Sequence, residues 1–219
     1  MSDQEILIDL IKQSKTSRFD ITNVLFKLIR HGIIDPNTPM REGGNSSHYI
    51  PLFAAMQYDK QFSKEKLRLF LELGTSVFEP KPAWASIMAK KVEDIDMLNM
   101  LIEQGAIEQD QGLMLLYHSI GSKNTLLANH ILTSDQNSLT MNFDSEYLEL
   151  TSEIALSKQK SLIRNYNHIK AKTAPEIARK QLIEYSIALK NIQKKFPLSE
   201  NEKSIFSEKI TQLEQTISD

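Results

Sequence analysis

Ile50-Pro51-Leu52-Phe53-Ala54-Ala55, followed by Lys66-Leu67-Arg68-Leu69-Phe70-Leu71-Glu72-Leu73-Gly74, decides the fold. The stretch reads as a short apolar helix, a loop, a second apolar helix and a glycine stop. The unit then returns. Pro82 lies 31 residues after Pro51, Gly105 lies 31 after Gly74, and in both copies proline precedes glycine by 23. A shared internal spacing implies a shared backbone unit. Pro51 opens its helix where a missing N–H costs nothing, with Leu52, Ala55 and Met56 inward. Ser63 begins the next helix, which Leu67, Leu69, Phe70, Leu71 and Leu73 make apolar nearly all round. That pattern predicts burial on more than one side.

On the N-terminal side, Ser2-Asp3-Gln4-Glu5 fits a capping box, in which serine and glutamate satisfy each other's backbone N–H groups. Ile6, Leu7, Leu10 and Ile11 mark one helical face. Asp20 caps a second helix with Val24, Leu25, Leu28 and Ile29 inward and Gly32 as its stop. Residues 33–49 form a long connection, with a turn at Asp35-Pro36-Asn37 and a flexible Gly43-Gly44-Asn45-Ser46-Ser47 run, and read as a mobile insertion, with a binding loop as the alternative.

On the C-terminal side, a third pair opens at Pro82 and runs through Trp84, Ile87 and Met88, then Ile95, Leu98, Leu101 and Ile102. A degenerate fourth pair carries Leu113, Leu115, Leu116 and Ile120, then Leu126, Leu127, Ile131 and Leu132, without the proline or the closing glycine. Terminal repeats are often atypical, because one face meets something else. From about Asp144 the pattern changes. Ala155, Leu162, Tyr166 and Ile169 share one face of a long helix. Thr173 to Glu176 is a capping box opening a helix with a heptad seam of Ala178, Leu182, Tyr185, Leu189, Ile192 and Phe196. Pro197 stops it, Ser199 to Glu202 is another capping box, and Phe206, Ile210, Leu213 and Ile217 continue the period. These seams are too short for an independent coiled coil and are expected to pack on each other and on the last repeat.

The chain is thus expected to be all-α, a solenoid of helical pairs over 1–140 followed by a helical hairpin or bundle over 141–219. Its 219 residues, 41% apolar and 25% charged, suffice for a sizeable core. The absence of cysteine excludes disulfides, thiolate metal sites and cysteine nucleophiles. No apolar run reaches the ~18 residues of a membrane span, and the first five residues are acidic where a secretory signal would be basic. A cytoplasmic location is therefore expected. The net charge of −2 hides an asymmetry, since residues 1–157 carry −7, residues 158–195 carry +8 and residues 196–219 carry −3.

The repeated unit resembles the ankyrin repeat, a turn plus two antiparallel helices with a Thr-Pro-Leu-His-x-Ala signature. Ile50 to Ala55 matches at proline, leucine and alanine. Leu69 to Val77 is similar to the family's Leu-Leu-Leu-Glu-x-Gly-Ala-Asp-Val stretch, Met100 to Ala106 matches it again, and Leu28-Ile29-Arg30-His31-Gly32 is a weaker copy. The signature threonine and histidine are replaced by Ile50 and Phe53, then by Lys81 and Trp84, so aromatic packing between repeats is expected to substitute for lost hydrogen bonds. The resemblance covers roughly residues 1–135. It implies a noncatalytic module that binds a partner protein through its fingers and concave face. By repeat equivalence those positions are Tyr49, Gln57, Tyr58, Phe78, Met88, Gln109, Gln111 and Ser119.

Other chemistry is thin. His31, His48, His118, His130 and His168 show no metal-ligand spacing, and Gly43-Gly44 is followed by no Lys-Ser/Thr, so neither a metal nor a nucleotide cofactor is expected. Glu93, Asp94 and Asp96 read better as helix capping than as paired catalytic carboxylates. No catalytic constellation stands out. Lys158, Lys160, Arg164, Lys170, Lys172, Arg179, Lys180, Lys190, Lys194 and Lys195 form the basic segment. It reads as a solvated or intramolecular face, with nucleic acid or anionic membrane as the alternative. Its two tyrosines, Tyr166 and Tyr185, lie on the seams and are not free to stack on bases. The tail from Glu200 to Asp219 resembles the glutamate-rich tail of effectors exported by intracellular bacteria through a type IV secretion system. Such a tail implies export into a host cell and is expected to be separable from the fold.

Overall fold

The computed structural model describes residues 3–16, 20–41, 48–75, 82–92, 94–105, 110–133, 139–170 and 175–218. The fold is all-α. Eleven described helices are accompanied by one two-residue antiparallel ladder. The chain divides into two compact units, residues 1–108 and 109–219.

The first unit holds α1 (Asp3–Thr16), α2 (Ile21–Arg30), β1 (Met40–Arg41), β2 (His48–Tyr49), α3 (Pro51–Tyr58), α4 (Lys64–Glu72), α5 (Pro82–Lys91) and α6 (Ile95–Glu103). The 31-residue period holds at every helix start of the register and at the ends of the second helices. α3 and α5 start 31 residues apart, and α4 and α6 both start and end 31 apart. The glycines close each second helix in left-handed backbone, with φ of +66° at Gly32, +77° at Gly74 and +73° at Gly105. A Cβ is disfavoured in that conformation. The helices contact one another in two rows, α1 to α3 to α5 and α2 to α4 to α6.

Burial corrects one sequence reading. α4 buries Leu67 and Phe70, while Leu69 is exposed and Leu71 and Leu73 are half-buried. The helix enclosed on all sides is α3, in which every residue from Pro51 to Met56 is buried. α3 lies in contact with α1, α2 and α5, so it has no solvent face along that length. Phe53, where the signature histidine would stand, is fully buried, and Ala54 and Ala55 let neighbouring helices approach. The side chain of Trp84 lies outside the described residues, as does the serine of the first capping box. The 33–49 connection is built on both flanks of 42–47, which lie outside the described residues. Asn37 N–H donates to the Asp35 carboxylate at 2.7 Å, Ile34 is buried, and Met40 and Arg41 pair with Tyr49 and His48.

The second unit holds α7 (Gly112–Gly121), α8 (Thr125–Thr133), α9 (Tyr147–Lys170), α10 (Pro175–Lys195) and α11 (Glu200–Ser218). The boundary expected near residue 140 falls instead at 108/109, because α7 and α8 bury their apolar sides against α9 and α10. The seam residues Ala178, Leu182, Tyr185, Leu189, Ile192 and Phe196 are all buried, and so are Phe206, Ile210 and Leu213 of α11. Tyr185 Oη donates to the Ala155 carbonyl at 2.6 Å, which settles the one polar atom on the seam. The Ser199–Glu202 capping box is formed. Ser199 N–H donates to the Glu202 carboxylate at 2.8 Å, and Glu202 N–H donates to Ser199 Oγ at 3.3 Å. Thr173 of the preceding capping box lies outside the described residues.

α7 enters this unit through a close backbone approach. Gly112 N–H donates to the Thr140 carbonyl at 2.9 Å, and a Cβ at residue 112 would stand 2.6 Å from that oxygen. The obstacle is backbone, so Gly112→Ala must displace the strand-like contact of Gln111 with Met141. We expect Gly112→Ala to lower unfolding free energy by about 1–3 kcal/mol, read from chemical denaturation. A change within experimental error would show that this approach is not needed.

Candidate functional site

Each second helix of the pairs starts the same way. Asp20, Ser63, Asp94 and Asn124 accept from the backbone N–H three residues on, those of Asn23, Lys66, Met97 and Leu127, at 3.1, 3.5, 2.8 and 3.0 Å. Such caps satisfy N–H groups that a helix leaves open. Asp94 and Asp96 therefore sit as capping and first-turn acids of α6; Glu93 lies outside the described residues.

The helix between them starts with two cations about one acid, Glu65. α4 carries Lys64 and Lys66 in its first turn, where the helix dipole disfavours cations. The neighbouring pairs supply the compensation. Lys64 Nζ lies 2.7 Å from Asp96 and 3.7 Å from Asp94. Lys66 Nζ lies 3.3 Å from Asp20, and 2.6 Å from Asp59. Two lysines of one helix thus reach the acidic helix starts on both sides.

Asp59 is the centre of this arrangement. It follows α3 and is only 7% exposed. Its carboxylate accepts from Lys66 Nζ at 2.6 Å, from Thr22 Oγ1 of α2 at 2.5 Å and from Gln61 N–H at 2.8 Å. Its backbone carbonyl accepts from Lys91 Nζ of α5 at 2.6 Å. One residue therefore ties three consecutive helix pairs. Burial is the largest influence on its acidity and raises its pKa. The bonds from Lys66, Thr22 and Gln61 together outweigh burial and hold the carboxyl below its ordinary value of 3.8. Lys66 is pushed down by burial but ends above its ordinary 10.5 through its bond to Asp59.

The expected partner-facing residues divide. Gln57 and Tyr58 are half-buried on the last turn of α3, next to Asp59. Tyr49 lies in β2 at the other end of α3, and its side chain is outside the described residues. Phe78 and Gln109 are also outside them. Met88 and Ser119 are corrections, for both are buried and offer no surface. Met88 lies in the α5 core, and Ser119 Oγ donates to the Leu115 carbonyl at 2.7 Å within α7. Gln111 is half-buried at the start of α7, beside the bridge to Met141.

The basic segment is not one patch. On α9, Lys158 is half-buried while Lys160 and Arg164 are exposed; on α10, Arg179, Lys180 and Lys194 are exposed. Lys190 Nζ pairs with Glu214 at 2.6 Å, and Lys180 approaches Glu184 at 3.8 Å. The Lys170 side chain and Lys172 lie outside the described residues. Tyr166 and Tyr185 are buried on the seams. His118 stacks near Tyr117 and Tyr147, with ring centroids 5.0 and 6.2 Å away. Among the described residues, no three His, Cys, Asp or Glu side chains converge as metal ligands. An open depression of about 350 Å³ in the second unit is lined by Ser145, Glu146, Glu149, Ser152 and Glu202, and Glu202 is already engaged by Ser199.

No family model, curated protein or solved structure matches this chain.

The Asp59 arrangement predicts a pH dependence with a fixed sign. A carboxyl held below its unfolded value stabilises the fold above pH 3.8, and that contribution is lost as pH falls through the folded pKa. Lys66, raised above 10.5, contributes below that pH and its contribution is lost only above its folded pKa. Asp59→Asn is expected to cost about 3 kcal/mol at neutral pH, since it leaves Lys66 without its nearest counter-charge. It should also flatten the acid loss. Urea melts at neutral pH and near pH 3 for both proteins measure this; parallel losses would rule out Asp59 as the titrating group.

Proposed function

We propose that the first unit is a divergent ankyrin-like array that acts as a noncatalytic docking scaffold for a partner protein. The observation that carries the reading is the preserved 31-residue period of the helix starts, each second helix being closed by a left-handed glycine. Two further features support it. The β1–β2 ladder stands immediately before Ile50-Pro51, where an ankyrin-like finger would stand. Helices of each type contact in sequence along two rows.

The docking residues of the first unit in this reading are Tyr49, Gln57, Tyr58 and Phe78; Gln109 and Gln111 fall in the second unit, and Met88 and Ser119 are withdrawn because they are buried. Tyrosine and phenylalanine bury much area at modest entropic cost, which suits them to the centre of an interface. The cross-pair bonds of Asp59, Lys64 and Lys66 would keep such a face in one shape, so little ordering would be lost on binding.

Nothing in α11 favours a separable export tail. Its residues Phe206, Ile210 and Leu213 are buried in contact with α10 and α9. Deleting residues 200–219 would therefore uncover the second unit's core, and such a deletion is a folding variant before it is an export variant.

The test is affinity capture from a cell extract with the full chain, compared with a Tyr58→Ala/Phe78→Ala double variant whose helicity and melting are checked in parallel. The reading predicts captured proteins that the folded variant loses by about tenfold or more. Identical capture profiles from wild type and a folded variant would remove this face.

A further inference from the structure

α10 presents a second surface, unrelated to the array. At 100° per residue its outward sector carries, in angular order, Arg179, Lys190, Ile183, Lys194 with Glu176 at the same angle, Ile187 and Lys180, with Ile177 just past Glu184 at its α8 edge. The sector is bounded on one side by α8, where Thr125 and Asn129 bond to Glu184, and on the other by α11, where Gln193 bonds to the Lys203 carbonyl. Within it Ile177 is 73% exposed, Ile183 42% and Ile187 44%. Arg179 and Lys194 are exposed between them, Lys180 approaches Glu184 and Lys190 pairs with Glu214, and Glu176 is the acid at the helix start. The heptad face of the same helix is fully buried, so these isoleucines are not part of the core seam.

We infer that this sector of α10 docks on an anionic lipid surface, with the isoleucines entering the headgroup boundary and the flanking cations meeting lipid charge. Three features of the sector choose that occupant. A face that repeats isoleucine among cations repels a second copy of itself. None of these residues lines the depression of this unit, so that recess gives a protein partner no anchoring pocket on this sector. The sector also offers no aromatic side chain for a nucleobase to stack on, since Tyr166 and Tyr185 are buried. An anionic bilayer needs neither a matching pocket nor a large area. It takes apolar side chains and basic ones together, each adding to the affinity.

The experiment is flotation of the full chain with phosphatidylcholine vesicles, with and without phosphatidylserine, at low and physiological salt. The wild type should bind only the phosphatidylserine vesicles, and less at higher salt. Ile183→Ser/Ile187→Ser should weaken binding by about tenfold, and Arg179→Glu/Lys194→Glu by about tenfold or more. Both pairs lie on exposed positions, and unchanged circular dichroism confirms folding. Absence of wild-type binding to anionic vesicles would overturn the inference, as would equal binding by the isoleucine variant. So would salt-sensitive binding to single-stranded RNA in place of vesicles.

Discussion

A buried carboxylate is expensive unless donors surround it, and the first unit is assembled around one that is so surrounded. Asp59 lies at the junction of α3 and α4 and receives a hydroxyl from α2, an ammonium from α4 and a backbone N–H from its own loop, while its carbonyl holds an ammonium from α5. Each donor comes from a different part of the first unit. Removing any one leaves charge or dipole uncompensated in a low-dielectric place, so the helix pairs are coupled by what it would cost to separate them. Apolar packing of α3 supplies the bulk attraction between rows. The Asp59 bonds give it register.

The same logic explains the lysines of α4. Two cations at a helix N-terminus oppose its dipole, and alone they would weaken the helix. Placed between the aspartates that open α2 and α6, they turn a local penalty into a cross-pair attraction. These exposed pairs are worth little singly. Their value is positional, because Lys64 reaches the start of α6 and Lys66 the start of α2.

Much of this fold can be read in the chain. Proline at helix starts and glycine at helix stops leave local signatures, and the 31-residue repetition multiplies them, so α3 to α6 are legible together. The seams of α9 to α11 are legible because apolar spacing of 3 and 4 needs no knowledge of the partner. The rest depends on tertiary neighbours. Nothing local distinguishes Asp59 from any other loop aspartate; its role appears only when Thr22 and Lys91 are brought beside it. The apolar richness of α4 suggests burial all round, yet α3 occupies the enclosed position because its small alanines permit close approach. The fourth pair carries helix starts 30 residues after the third but packs with the C-terminal helices, since its closing glycine is gone and its apolar face meets α9 and α10. Repeat counting puts Met88 and Ser119 on a surface, and burial removes them. Of the expected docking face, Gln57 and Tyr58 stand at one end of α3 and Tyr49 at the other.

Asp59 couples the first helix pair to the third. Thr22 and Lys91 contribute to this coupling from those two pairs through different atoms of Asp59, so a double-mutant cycle with Thr22→Val and Lys91→Met tests it most directly. Unfolding free energies of the wild type, both single variants and the double variant should give a coupling of about 1 kcal/mol, transmitted through Asp59. Strict additivity would contradict the claim, and the helix pairs would then be held by packing alone.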